Sequence, residues 1–184
     1  MVQLARVPRP LQAEPDPGRL STASRTWIAL RTKSRQEKAV ARCVRARDIE
    51  YYLPLIEKVS SVRGRMLRTK VPVFPGYVFL RGELDDAYDE ALSPRICQII
   101  TIRDQQRFSL ELAQVKRALE SPVAIELYPF AARGRRCRVA RGPLQGVEGV
   151  VLERKNAHRL VLQVDIIGQG VALEIDAGML EALE

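Results

Sequence analysis

Histidine occurs once in these 184 residues, cysteine three times and tryptophan once. The single histidine, His158, sits between Asn156 and Arg159 in an expected hairpin turn, where it supports no Ser/His/acid or Cys/His relay. Cys43, Cys97 and Cys137 are widely spaced and odd in number. They form neither a CxxC pair nor a disulfide framework, and beside one histidine they lack zinc-ligand spacing. No Walker A loop and no GxGxxG is present. No apolar run approaches the roughly 20 residues that cross a bilayer. The N-terminus carries no apolar block of the signal-peptide kind. These absences predict a reduced, cytoplasmic protein that is not an enzyme and uses no metal or cofactor.

Charge of one sign is abundant instead. The formal net charge is +8. Residues 22–120 hold 19 Lys+Arg against 12 Asp+Glu, whereas residues 134–184 hold 7 of each. The excess therefore belongs to one segment and points to a polyanionic partner, with simple solubility as the plain alternative. The neutral C-terminal segment fits a protein ligand better.

Punctuation along the chain divides it. Residues 1–24 carry Pro8, Pro10, Pro15, Pro17 and Gly18 with few large apolar groups, and read as a disordered leader. Residues 25–120 read as strand, helix, two or three strands, helix, strand, helix. That order suits an α+β sandwich with one antiparallel sheet. Thr26–Arg31 is the opening strand. Ser34 and Glu37 have capping-box spacing for a helix to about Arg47, with Val40, Cys43, Val44 and Arg47 on its inner face. Arg35, Lys38, Arg42 and Arg45 make a basic stripe elsewhere on it. Residues 60–70 are polar and basic around a hairpin turn at Gly64. An acidic helix is expected from Leu84 to Leu92, closed by Pro94; its acids read as a solvated face in preference to a metal site. A last amphipathic helix is expected over Ser109–Leu119. Residues 121–133, with Pro122 and Pro129, read as a linker. Residues 134–184 hold short apolar strands separated by glycine, the pattern of a small β-barrel.

Two motifs stand out. In Phe74-Pro75-Gly76-Tyr77-Val78-Phe79, Pro75 removes a ladder donor and Gly76 permits a bend, so that Tyr77 and Phe79 share a face with Phe74 beside them. This reads either as a core with a bulge or as an aromatic concavity for a partner's apolar knob. In Gly142-Pro143-Leu144-Gln145-Gly146-Val147-Glu148-Gly149-Val150-Val151, a Gly-Pro turn precedes glycines suited to a barrel corner.

With Trp27, the basic helix and Tyr52-Leu53-Pro54, the first motif resembles the N-terminal domain of NusG-type transcription elongation factors. The second, with Ile166-Ile167-Gly168-Gln169 and Glu174-Ile175-Asp176, resembles their C-terminal KOW motif. The resemblance spans about residues 25–184. It implies an N-terminal NGN-like domain and an SH3-like KOW barrel. It also implies binding to the clamp helices of the largest RNA polymerase subunit through Phe74, Pro75, Tyr77 and Phe79, supported by Trp27. Lys33, Arg35, Lys38, Arg42 and Arg47 would face upstream DNA and the non-template strand. The barrel would recruit termination factor Rho or a ribosomal small-subunit protein through Leu144, Val147, Ile167 and Gln169. The general factor has aromatics where this chain has Leu144, Val147 and Ile167, which favours a specialised antitermination paralogue of the RfaH kind acting on selected operons. A housekeeping factor is the alternative, and a ribosome- or RNA-binding KOW protein or a sequence-specific DNA-binding regulator are rivals of other classes. A monomer is expected. Valines and isoleucines at 161, 164, 166 and 167 favour a resting barrel over a helical hairpin.

Overall fold

The computed structural model describes residues 25–62, 65–128, 134–154 and 157–183. The expected leader and the Gly64 turn lie outside these. The described chain divides into two units, one of residues 25–55 and 71–106, the other of residues 56–70 and 107–183.

The first unit is built on four strands, β1 (Thr26–Thr32), β2 (Glu50–Tyr52), β5 (Tyr77–Gly82) and β6 (Ile96–Thr101), in the order β2-β5-β1-β6. Every neighbouring pair is antiparallel. Alternation along β1 sends Ile28 and Leu30 to one face, opposite Leu80 and Val78. There they pack with Val40, Ala41 and Val44 of helix α1 (Glu37–Arg45) in one aliphatic core. The helix is shorter than expected, and the Ser34–Glu37 capping box does not form: Gln36 precedes the helix and no side chain caps it. Ser34 and Arg35 make a turn instead, with Arg35 at φ 61°. The acidic helix is also shorter, α2 (Leu84–Ala87), with a capping box between Glu83 and Asp86. Pro94 lies in a short 3-10 turn, Ser93–Arg95.

Beyond the end of β6, the Gln105 side chain takes over as β1's neighbour. Its Oε1 accepts from the Trp27 N–H at 2.7 Å and its Nε2 donates to the Trp27 carbonyl at 3.0 Å. This anchor explains why helix α3 runs Gln105–Glu120 and starts earlier than its apolar spacing from Ser109 predicts. Phe108 extends the buried stripe of Leu112, Val115 and Leu119.

In the second unit, β3 (Leu55–Val62) and β4 (Arg65–Pro72) form a two-stranded ribbon. Strands β7 (Ile125–Tyr128), β8 (Arg135–Val139), β9 (Glu148–Arg154), β10 (Ala157–Val164), β11 (Gln169–Ile175) and β12 (Leu180–Ala182) form a six-stranded sheet ordered β12-β8-β9-β10-β11-β7. The barrel-like, β-rich second module is thus present, and the whole is an α+β unit followed by a β-rich one. His158 stands in β10, paired with Ile175 and Glu153, and not in a turn. Strand β7 falls inside residues 121–133. It is recruited to the sheet because Ile125 pairs with Leu173 and is buried.

Helix α3 meets this sheet through a polar stripe at spacings of three and four, the helical repeat. Arg107 donates to Glu111 at 3.1 Å and pairs with Asp165. Glu111 Oε2 accepts from the Asp165 N–H at 3.1 Å, Gln114 Oε1 from the Glu148 N–H at 2.5 Å, and Arg117 donates to the Pro143 carbonyl at 3.3 Å. Burial, the largest cause, raises Glu111 above the ordinary carboxylate range; the Asp165 N–H and Arg107 oppose it, and the Asp165 charge adds to it. The folded chain therefore holds this proton more tightly than the unfolded chain. Its stabilising contribution is complete below the unfolded value, about 4.3 for glutamate, and is lost as pH rises through the folded value. Relative to the parent, Glu111→Gln is expected to gain in thermal midpoint between about pH 4 and about pH 7. A midpoint difference that does not change over that range would contradict the assignment.

Candidate aromatic turn and basic helix face

The Phe74–Tyr77 segment is a turn between strands, not a bulge within one. Strand β4 stops at Pro72 and β5 begins at Tyr77. The Tyr77 N–H donates to the Phe74 carbonyl at 3.1 Å. Gly76 has φ 83°, and with Pro75 before it this is the type II pattern. A Cβ on Gly76 would meet nothing within 4 Å, so glycine is needed for its backbone angle and not for space.

Two contacts clamp the turn. The Thr32 N–H at the end of β1 donates to the Gly76 carbonyl at 2.8 Å. The Gly76 N–H donates to Glu37 Oε1 at 2.7 Å. Glu37 is only 7% exposed, which is rare for a carboxylate. Its charge-assisted hydrogen bond, and its place in the first turn of α1, offset the cost of that burial. By its spacing from Ser34, Glu37 is expected to serve as a helix cap. The signal that it reaches the turn is tertiary and has no local pattern.

On the sheet face away from α1, register brings the aromatic residues together. Phe79 stands opposite Ala29 and Tyr52, and Trp27 opposite Arg81. The Phe74 and Phe79 rings meet edge to face with centroids 5.5 Å apart, and Tyr52 stacks on Phe79 at 6.5 Å. The Arg81 guanidinium lies 5.9 Å from the Trp27 ring centre and pairs with Glu50 at 3.7 Å. Tyr77 and Phe79 share this face, and Phe74 lies beside them, as the sequence predicts. The expected open concavity is not there. Phe74 is 1% exposed and Phe79 0%, and Trp27 is buried too. Burying each such ring stabilises the chain by about 1.5–3 kcal/mol, so this cluster is not left facing water. What a partner can touch directly is the rim: Pro75 is exposed and Tyr77 half-buried.

The basic residues sort differently. Lys33, Arg35, Lys38, Arg42 and Arg45 are exposed, and on α1 the last three lie opposite the buried Val40, Ala41 and Val44. Arg47 lies outside this stripe and outside the core. It pairs with Asp89 at 2.6 Å and donates to the Cys43 carbonyl at 3.3 Å. In the β-rich unit Leu144 and Val147 are core residues, not surface contacts. The Gly146 N–H donates to the Val139 carbonyl at 2.7 Å and the Val139 N–H to the Val147 carbonyl at 2.9 Å, which folds the Gly-Pro turn back and sends both side chains inward. Ile167 and Gln169 are half-buried, and Ile166 is exposed beside them. Among the described residues no three His, Cys, Asp or Glu side chains are grouped to hold a metal, and no helix is long and apolar enough to cross a membrane.

Glu37→Ala leaves the Gly76 N–H without its acceptor and should cost about 1–3 kcal/mol. Gly76→Ala should cost about 1–2 kcal/mol through the left-handed angle alone. Urea unfolding measures both, and a Glu37→Ala midpoint equal to the parent's would rule out a clamping role.

A family profile described as NusG, "Transcription termination factor nusG", matches residues 25–119, just over half of the chain. It runs from the start of β1 almost to the end of α3, and so takes in the sheet, α1 and the aromatic turn. The chain is also 27% identical over 165 residues to the "Transcription termination/antitermination protein NusG" of Helicobacter pylori, covering 81% of this chain and 93% of that protein. A profile match of that extent over the clamped turn and its sheet places the chain in the NusG family, as a transcription termination/antitermination factor.

Proposed function

We propose that this protein binds transcribing RNA polymerase through its first unit and suppresses pausing or termination. The observation that carries this reading is the clamped Phe74–Tyr77 turn, which lies inside the family match and offers Pro75 and Tyr77 at its rim. A rim held by Glu37 and Thr32 is pre-organised, so a partner meets it without ordering cost. The clamp helices of the largest subunit are the proposed partner, with Phe74 and Phe79 supporting the rim from beneath. The exposed stripe of Lys33, Arg35, Lys38, Arg42 and Arg45 then faces upstream or non-template DNA through phosphates, a salt-sensitive contact. Arg47, paired with Asp89, is left out of it. The effect on pausing is differential binding to two polymerase states and requires no catalytic group.

The β-rich unit recruits a protein, Rho or a ribosomal small-subunit protein, through the surface around Ile166, Ile167 and Gln169. Ile166 is 47% exposed. Ile167 and Gln169 beside it are half-buried. Action on selected operons, as a specialised paralogue, is the preferred reading over a housekeeping role, because half-buried Ile167 is aliphatic where the general factor has an aromatic; Leu144 and Val147, being core, add nothing to that.

Recovery on polymerase core tests the proposal. Tyr77→Ala and Pro75→Ala should each lower recovery several-fold at unchanged thermal stability. Phe79→Ala is a poorer probe, because emptying a core site costs about 3–5 kcal/mol. Undiminished recovery of both rim variants would refute the turn as the contact.

A further inference from the structure

We infer that the β3–β4 ribbon is a DNA-binding arm, a contact with double-stranded DNA separate from the α1 stripe. A strand in a soluble domain ordinarily buries one face, so its side chains alternate between buried and exposed. From Arg65 to Thr69 no such alternation exists: all five residues are exposed. The distal part of β4 therefore covers no core and presents both faces. Its apolar members are prominent, with Met66 71% and Leu67 54% exposed on opposite faces. A bare two-stranded ribbon of that kind invites edge pairing or aggregation unless charge opposes it.

The charge on the ribbon identifies the occupant. Lys58, Arg65, Arg68 and Lys70 face a single acid, Glu57, among the described residues of the two strands. Arg68 reaches Glu57 at 3.6 Å, but its side chain is 71% exposed, and a pair so open to water is worth roughly 0–1 kcal/mol. The Arg68 charge stays available to a stronger anion. A cationic ribbon repels a second copy of itself and attracts a polyanion. The major groove of B-DNA, about 12 Å wide, admits a two-stranded β-ribbon. The five bare residues reach about 17 Å, enough to lie along part of the groove. In that seat the cations meet phosphates, and one of Met66 and Leu67, which stand on opposite faces, lies against base edges and thymine methyl groups. Phosphate contacts position the arm without reading sequence.

Fluorescence anisotropy of the full chain on a labelled duplex of mixed sequence, over a salt series, tests this. The triple variant K58Q/R65Q/R68Q should bind more weakly and reduce the log–log salt slope by about 2–3. The charge-preserving M66S/L67S should weaken binding modestly and keep the slope. K38Q/R42Q/R45Q on α1 separates the two contacts. If it alone lowers the slope while the ribbon triple matches the parent, the arm proposal is overturned and the α1 reading stands. No binding by the parent at low salt overturns the arm as well. So does a slope that falls equally in M66S/L67S, since that would report loss of ribbon structure and not of charge. A ribbon triple that keeps its DNA slope but loses recovery on polymerase core makes the ribbon a protein contact and likewise overturns the proposal.

Discussion

A buried carboxylate holding a main-chain N–H is the interaction on which the first unit turns. Glu37 Oε1 accepts from Gly76 at the point where the chain must pass through a left-handed angle. With Thr32 bonded to the same residue's carbonyl, the end of β1, the start of α1 and the entry to β5 are tied at one peptide. The consequence is functional as well as structural. The helix that turns Glu37 inward turns Lys38, Arg42 and Arg45 outward, so one interaction sets the rim of the aromatic turn in a fixed relation to the basic stripe. A protein proposed to touch polymerase with one and DNA with the other needs that relation to be rigid.

The sheet of this unit is apolar on both faces, for different reasons. One is mainly aliphatic, with Tyr51 among its members, and is closed by α1; the other is aromatic, with Phe74, Phe79, Tyr52 and Trp27 all buried. The buried rings act as a platform for the exposed Pro75 and half-buried Tyr77. This division of labour is common in recognition surfaces, where a few accessible residues rest on well-packed support.

Residues 134–184 differ in electrostatic character, with 7 Lys+Arg against 7 Asp+Glu. Asp165 and Glu148 there meet the stripe on α3 through Arg107, Glu111 and Gln114. An additional pair joins Arg138 to Glu148 at 2.6 Å. What remains available around Ile166 is aliphatic, which suits a protein partner, whereas the cationic surfaces lie on α1 and on the β3–β4 ribbon.

Much of this was readable in residue order, because it depends on local periodicity and on backbone chemistry. Alternation in β1 and β5, the helical spacing of Val40 and Val44, the need for glycine after Pro75, and the short strands after residue 134 each follow from neighbours within a few positions. The motif order led to the NusG family for the same reason. Burial and partnership were settled by contacts between residues far apart in the chain. Glu37 had the spacing of a cap and became a clamp, because Gly76 lies 39 positions away and offers a stronger donor. Leu144 and Val147 looked like surface corners and became core, because the turn folds back on Val139. Phe74 and Phe79 had the composition of an open pocket and became buried support beneath the rim. Solvent exposure is a sum over everything that packs against a side chain, and no local pattern contains that sum.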